Sequence, residues 1–229
     1  MNIHVGNKIG KYIDKLRLFI IYFKFVFDEN IKYIFIEYET IINRMYETEK
    51  TFIPYKNDLV IDIGSYVCDY AIIWAKKYNA KVIAFEASTQ NWKMGILNIF
   101  NNHLQDKILS FNVGIGNDNI ASIINDKYIY PAEYSDDKLI LKKLDDFNLN
   151  PFLIKIDIEG FEYNALLGMK NTLNKYKPKL IIETHSDKLW NQCSNFLKDF
   201  NYNLIKIQNK RKDGLTNNTV QESFWSVDY

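Results

Sequence analysis

Between Lys8 and Phe27 the apolar residues Ile9, Tyr12, Ile13, Leu16, Phe19, Ile20, Phe23 and Phe27 recur at spacings of three and four, which predicts a helix with one apolar face. A second stripe, Ile31, Ile34, Phe35, Tyr38, Ile41, Ile42 and Met45, starts past the capping cluster Asp28, Glu29 and Asn30 and predicts a second helix. Residues 1–50 therefore read as a helical extension and residues 51–229 as the main domain. From Leu59 onward short apolar runs alternate with helical patterns, the signature of a parallel sheet with crossover helices. Strands are predicted over 59–63, 81–85, 108–113, 152–156 and 179–182, and helices over 67–78, 91–102, 163–173 and 189–200. The segments 202–208 and 222–229 are strand-like and joined by a polar stretch, so a hairpin should close the sheet with an antiparallel pair. From Asn117 to Leu149 the rhythm lapses, and Tyr128, Tyr130, Pro131 and Tyr134 suggest short strands and a loop beside the ligand-binding edge. The expected fold class is α/β, a doubly wound and mostly parallel sheet with an antiparallel C-terminal hairpin and an N-terminal helical extension.

Composition narrows the picture. A hydrophobic share of 47% and a charged share of 25% exclude the disordered and fibrous classes. The 29 Lys and Arg against 28 Asp and Glu leave a formal charge of +1, with no electrostatic footprint for nucleic acid, which is not expected as a partner. Cys68 and Cys193 are far apart and lack metal-ligand spacing, so neither a disulfide framework nor a zinc site is expected and a cytoplasmic location is. The apolar stretch Leu18 to Phe27 is broken by Lys24 and runs for about half of the roughly 20 residues of a membrane span. Phe25, Val26 and Phe27 lead straight into Asp28, so no export signal is expected. The two N-terminal helices carry opposite net charge. Two readings stand for them: packing on the main domain or on each other, or a peripheral membrane or homodimer contact through residues 8–46, since Leu18, Ile21, Tyr22 and Phe25 widen the apolar surface.

Open α/β sheets bind ligands outside the carboxyl ends of their strands, so the chemistry should reside just past each apolar run. Those positions are Asp62, Gly64, Ser65 and Tyr66, then Glu86, then Asn112, Val113 and Gly114, then Asp157, Glu159 and Gly160, then Glu183, Thr184 and His185. Gly64 would let a ligand approach the backbone, and the helix that follows would offer unpaired N–H groups to an anionic ligand group. Glu86, 22 residues after Gly64, is placed to accept both hydroxyls of a ribose. The run Gly64-Ser65-Tyr66-Val67-Cys68-Asp69 lacks the later glycines of the dinucleotide fingerprint, and no phosphate loop occurs. A nucleoside without pyrophosphate is expected, which argues against a nicotinamide dinucleotide enzyme. Asp157, Glu159, Glu162 and Glu183 do not follow the spacing of a cation-binding loop, and no metal is expected. Strand periodicity puts Lys155 and Asp157 on one face, where the lysine could keep the carboxylate ionised, while His185 titrates near neutral pH and is the candidate general base.

Val60-Ile61-Asp62-Ile63-Gly64, Ala84-Phe85-Glu86, Lys143-Leu144-Asp145-Asp146-Phe147, Leu153 to Glu162 and Pro178 to His185 resemble the ordered motifs of the FkbM-type methyltransferases. The Lys-Ile-Asp-Ile-Glu-Gly-Phe-Glu run is the most specific part, and the resemblance covers about residues 52 to 207. It implies a class I Rossmann-like methyltransferase fold, S-adenosylmethionine as methyl donor, and O-methylation of a sugar or other small hydroxylated acceptor. By that resemblance Asp62, Gly64, Ser65, Tyr66, Glu86, Asn112 and Asp157 line the donor site, and Asp157, Glu159 and His185 face the reaction. The chain departs from the family at Cys68, where a glycine is usual and an added side chain can crowd the donor's methionine end. The alternative is a non-catalytic binding or scaffolding protein on the same fold, attached through its N-terminal helices.

Overall fold

The computed structural model describes residues 52–117, 140–212 and 219–228. The two N-terminal helices, the tyrosines 128, 130 and 134 and the tip of the C-terminal hairpin lie outside the described residues. The chain runs through β1 (Leu59–Ile63), α1 (Asp69–Lys77), β2 (Lys81–Phe85), α2 (Thr89–Asn101), β3 (Ile108–Phe111), β4 (Gly114–Ile115) and β5 (Leu141–Lys142). A 3-10 turn (Leu144–Phe147), β6 (Leu153–Ile156), α3 (Glu162–Leu167), α4 (Lys170–Tyr176), β7 (Lys179–Thr184), α5 (Asp187–Lys198), β8 (Asn203–Lys212) and β9 (Thr219–Asp228) follow.

Seven strands form one sheet in the order β3-β2-β1-β6-β7-β9-β8. All pair in parallel except β9, which runs antiparallel to both β7 and β8, so the expected closing hairpin is present. Strand order reverses between β1 and β6. That point is where a doubly wound sheet opens a crevice at its carboxyl edge. β4 and β5 make a separate small parallel pair, of which β5 lies in the stretch from Asn117 to Leu149 where short strands were expected and β4 just before it.

Each central strand is apolar on both sides because helices cover both faces. Val60, Val82, Ile108, Leu153 and Ile181 pack with Ala71, Trp74 and Ile99 of α1 and α2. Ile61, Ile63, Ile154, Ile156, Leu180 and Ile182 pack with Ala165, Leu166, Cys193 and Leu197 of α3 and α5. The period of two places Asp62 and Lys155 on the face of Val60 and Leu153, where β1 and β6 align them side by side. Among the described residues no helix is long and apolar enough to cross a membrane.

Of the boundaries that differ from the periodicity, three have a local cause. Helices α2 and α5 begin two residues earlier than predicted because Ser88 and Ser186 cap them, accepting from the backbone N–H of Asn91 and Leu189. The segment predicted as one helix over 163–173 is two, α3 and α4. A Cβ at Gly168 would overlap the Gly116 carbonyl, so the chain passes close to β4 there. Asp145, in the 3-10 turn, then caps α4 by accepting from Asn171 N (3.0 Å), Thr172 N (2.8 Å) and Thr172 Oγ1 (2.8 Å). The Lys-Leu-Asp-Asp-Phe motif is thus architectural: Leu144 is buried, Asp145 caps, and Phe147 packs on Phe85 and Phe111 at ring distances of 5.0 and 6.0 Å.

Candidate functional site

β1 ends in a turn that Gly64 makes possible. Its φ is +76°, and a Cβ there would overlap the carbonyl oxygen of Asp157, so the close approach at Gly64 comes from the end of β6 rather than from a ligand. Gly64 N and Ser65 N both donate to Phe85 O, Tyr66 N donates to Glu86 Oε2 (2.8 Å), and Cys68 N donates to Ser65 O. These four amides are spent within the protein. At the following helix Asp69 occupies the first turn, its Oδ1 accepting from Tyr70 N. The turn thus has its own acceptors, and a carboxylate stands at the helix terminus where an anionic ligand group was expected.

Glu86, 8% exposed, stands past β2, and its two oxygens accept one backbone N–H each, from Tyr66 and Ser88. Burial, resisted by those two hydrogen bonds, pushes its pKa up to about 7. A carboxylate has about four acceptor positions, so hydrogen-bonding capacity toward ribose remains. Asn112, expected to touch the nucleoside, holds the loop after β2: Nδ2 donates to Glu86 O (2.9 Å) and Ala87 O (3.2 Å), and Oδ1 accepts from Thr89 Oγ1 (2.7 Å). It positions Glu86. Ser65 is buried and Tyr66 is exposed at the turn with a φ of +50°.

Cys68 adopts a φ of +61°, the left-handed conformation for which glycine is suited. Its side chain is turned into the core between α1, α2 and β3, with Sγ 3.7 Å from Ser65 Oγ and 3.8 Å from Ser110 Oγ. A Cβ at Gly95 of α2 would lie 2.8 Å from that sulfur, so the absence of a side chain at Gly95 makes the room. Burial pushes the thiol up to about 12.

At the switch point, Asp62 is 1% exposed and neither of its carboxylate oxygens accepts a hydrogen bond from a described residue. Burial raises its pKa against the pull of Lys155, whose ammonium is 3.4 Å from Oδ1. Lys155 Nζ also donates to Gly64 O (2.6 Å) and stands 3.6 Å from Asp157 Oδ2.

The ends of β6 and β7 gather a histidine among carboxylates. His185 Nε2 is 3.5 Å from Glu159 Oε2, 3.9 Å from Asp157 Oδ1 and 3.9 Å from Glu183 Oε1, while Nδ1 is 3.5 Å from Glu162 Oε1. The loop between is held by Glu162, whose Oε1 accepts from Ile158 N and Gly160 N across the left-handed residues Glu159 and Gly160. Burial opposes charge on His185, but Glu162, Asp157 and Glu159 outweigh it and push its pKa up to about 10. That shift favours the imidazolium at neutral pH, a form with no free lone pair to receive a proton, whereas the expected general base needs the neutral ring. Asp157, Glu183 and His185 bring one ligand atom each within 4.8 Å of one another, an arrangement a divalent cation could use only by displacing that proton.

The structure thus brings Asp62, Gly64, Glu86, Asp157, Glu159 and His185 to one carboxyl edge of the sheet. Lys155, Glu162 and Glu183 join them; their place in the Lys-Ile-Asp-Ile-Glu-Gly-Phe-Glu and Ile-Ile-Glu-Thr-His runs was the available signal. A cationic nucleoside fits this donor set: neither buried carboxylate oxygen of Asp62 accepts a hydrogen bond from a described residue, Glu86 keeps acceptor capacity past β2, and the amides of Gly64, Ser65, Tyr66 and Cys68 are already bonded within the protein.

Residues 62–204 match the family model described as the methyltransferase FkbM domain. Among curated proteins none matches the sequence. The fold is similar to that of the crystal structure of methyltransferase FkbM from Methylobacillus flagellatus KT, with a TM-score of 0.60 and 18% identity over 80% of this chain and 47% of that one. The chain therefore spans about half the length of that protein. It is also similar to a human methyltransferase 10 domain containing protein (TM-score 0.62, 10% identity, 93% and 96% covered). A third similar structure is the precorrin-6y C5,15-methyltransferase of Geobacter metallireducens GS-15 (TM-score 0.55, 12% identity, 88% and 95% covered).

Proposed function

Because the chain belongs to the FkbM methyltransferase family, its domain filling more than half of the sequence, we propose that it is an S-adenosylmethionine-dependent methyltransferase that methylates an oxygen of a sugar or other small hydroxylated acceptor. The observation that carries this reading is one shared edge: the Gly64 turn with Asp62 and Glu86 lies beside the cluster of Asp157, Glu159, Glu183 and His185, joined through Lys155. When bound, the donor supplies a methyl group on a sulfonium, an electrophile that needs no metal or redox partner to react with an oxygen.

The residues divide the remaining work. Glu86 accepts from the ribose hydroxyls, and Asp62 presents buried acceptor oxygens to the cationic amino-acid end, where a positive ligand group offsets the desolvation of its carboxylate. Asp157, on the acceptor side of Lys155, accepts the hydrogen bond of the attacking hydroxyl and receives its proton. Glu159, 57% exposed at the mouth, offers a second acceptor for a neighbouring hydroxyl. His185, as imidazolium, holds Asp157 and Glu159 in place rather than taking the proton itself.

Calorimetric titration of the purified protein with S-adenosylmethionine tests the reading. Saturable binding near micromolar, about −8 kcal/mol, supports it. No binding at millimolar donor sinks it. Transfer of labelled methyl from bound donor to a panel of neutral glycosides and other alcohols then tests the acceptor class, and transfer only to nitrogen or carbon acceptors would overturn the oxygen assignment.

A further inference from the structure

We propose that Lys155 is a positioning residue that holds the donor turn against the acceptor-side carboxylate, so that Gly64, Asp62 and Asp157 keep one fixed arrangement. Its side chain is 6% exposed, and its ammonium meets the Gly64 carbonyl, Asp62 Oδ1 and Asp157 Oδ2 at 2.6, 3.4 and 3.6 Å. These partners come from two strands on opposite sides of the topological switch. Asp62 is the lateral neighbour of Lys155 in the sheet, whereas Gly64 begins the turn and Asp157 begins the loop that carries the acceptor cluster. The backbone adds a second tie, because Asp157 N donates to Ile63 O and the Asp157 carbonyl fills the space over Gly64. Only a long cation can serve all three acceptors at once. A carbonyl and two carboxylates facing one another without it would repel, and a buried carboxylate left without its cation is strongly destabilised.

Burial favours loss of the lysine proton, yet Asp62 and Asp157, with Asp69 and Glu183 farther off, outweigh it and raise its pKa. The group is therefore a permanent cation and does not itself move protons at neutral pH. It acts through the residues it orients; periodicity pairs it with Asp157, while its contacts with Gly64 and Asp62 come only from the fold.

The part concerning donor affinity rests on the reading that the Gly64 turn holds S-adenosylmethionine; the part concerning the turn does not. The experiment measures both. Amide hydrogen exchange of the full chain without ligand, read on peptides covering 62–68, is compared for wild type, Lys155→Met and Lys155→Arg, alongside calorimetric titration with S-adenosylmethionine. Lys155→Met is expected to raise exchange of the 64–68 amides at least tenfold while β2 and β7 keep their protection, and to weaken donor binding at least tenfold, with Lys155→Arg between it and wild type. Adding Asp62→Asn to Lys155→Met should raise exchange of the turn amides no further, since the two hold the turn as one unit. Should Lys155→Met fail to fold, Lys155→Arg is expected to show the same turn-selective increase at smaller size. Unchanged turn exchange in whichever variant folds, or an increase spread evenly over all strands, overturns the proposal. If wild type binds no donor, the functional reading fails and turn exchange still decides the role of Lys155.

Discussion

Asp62 on β1 and Lys155 on β6 are lateral partners in the sheet, and their side chains meet 3.4 Å apart on the face covered by α1 and α2. A strand interior otherwise built of valine, isoleucine and leucine admits this charged pair at the last positions before the carboxyl edge. Ala84, the neighbour of Asp62 on β2, is small and buried, which leaves the pair its room. Charges are buried where a ligand of complementary charge is expected.

Donor affinity should fall at least tenfold in Glu86→Ala, because loss of a charged acceptor costs about 1.5 to 3 kcal/mol. With its carboxyl pushed up to about 7, ionised Glu86 is a better acceptor than the neutral acid. Binding of S-adenosylmethionine should accordingly tighten from pH 6 to pH 8. The same titration on Glu86→Gln subtracts the donor's own ionisation; an equal slope in both proteins would remove Glu86 from the site.

The His185 imidazolium predicts a stability profile of definite sign. Its folded pKa of about 10 lies above its ordinary value of 6.5, so its contribution is fully present below pH 6.5 and is lost as pH rises toward 10. Thermal unfolding should show wild type losing stability across that window relative to His185→Gln. An imidazole titration midpoint near 6.5, measured by nuclear magnetic resonance, would return the general-base role to this residue.

Asp157→Asn should cut turnover by about 10² or more, the typical contribution of a positioned proton acceptor, while donor binding changes by less than threefold. The comparison needs any acceptor that supports turnover. Full activity in the variant would move the proton to Glu159 or to solvent.

Asp145→Ala removes three hydrogen bonds at the start of α4 and should lower stability by about 1 to 2 kcal/mol without changing donor affinity. Denaturant unfolding reads the first quantity and calorimetry the second. An equal loss of donor binding would mean that α4 supports the site directly.

Removal of residues 1–50 should leave a folded domain, since Phe52 is buried beneath the sheet and the motif-bearing strands follow it. Circular dichroism and a cooperative melt check this. Sedimentation with anionic vesicles, comparing full-length and shortened chains, decides whether the apolar stripes of residues 8–46 contact lipid: binding lost on shortening supports the contact, and no binding by the full chain excludes it.

The strands were legible because burial on both faces leaves uninterrupted apolar runs, and their ends named Asp62, Glu86, Asp157 and His185. What those residues do once assembled was less so. The charge of His185 depends on Glu162, Glu159 and Asp157, more than twenty positions away, and only folding brings them within 4 Å. The turn after β1 looked open because its glycine was visible and its hydrogen-bond partners, Phe85 O and Glu86, were not. The break between α3 and α4 hides in the pattern for a similar reason: helical spacing continues across Gly168, and only the proximity of Gly116 shows why the chain cannot.

Cys68 and Gly95 form a lock between two positions that sequence separation alone would treat as independent. Where the turn carries a side chain, the neighbouring helix must carry none. Gly95→Ala should therefore destabilise the chain more when made alone than together with Cys68→Gly, as denaturant unfolding of the two variants would show. The order in which substitutions could accumulate at this corner is therefore constrained, and grafting the turn alone onto a related scaffold with a larger residue in α2 would transplant half of a pair.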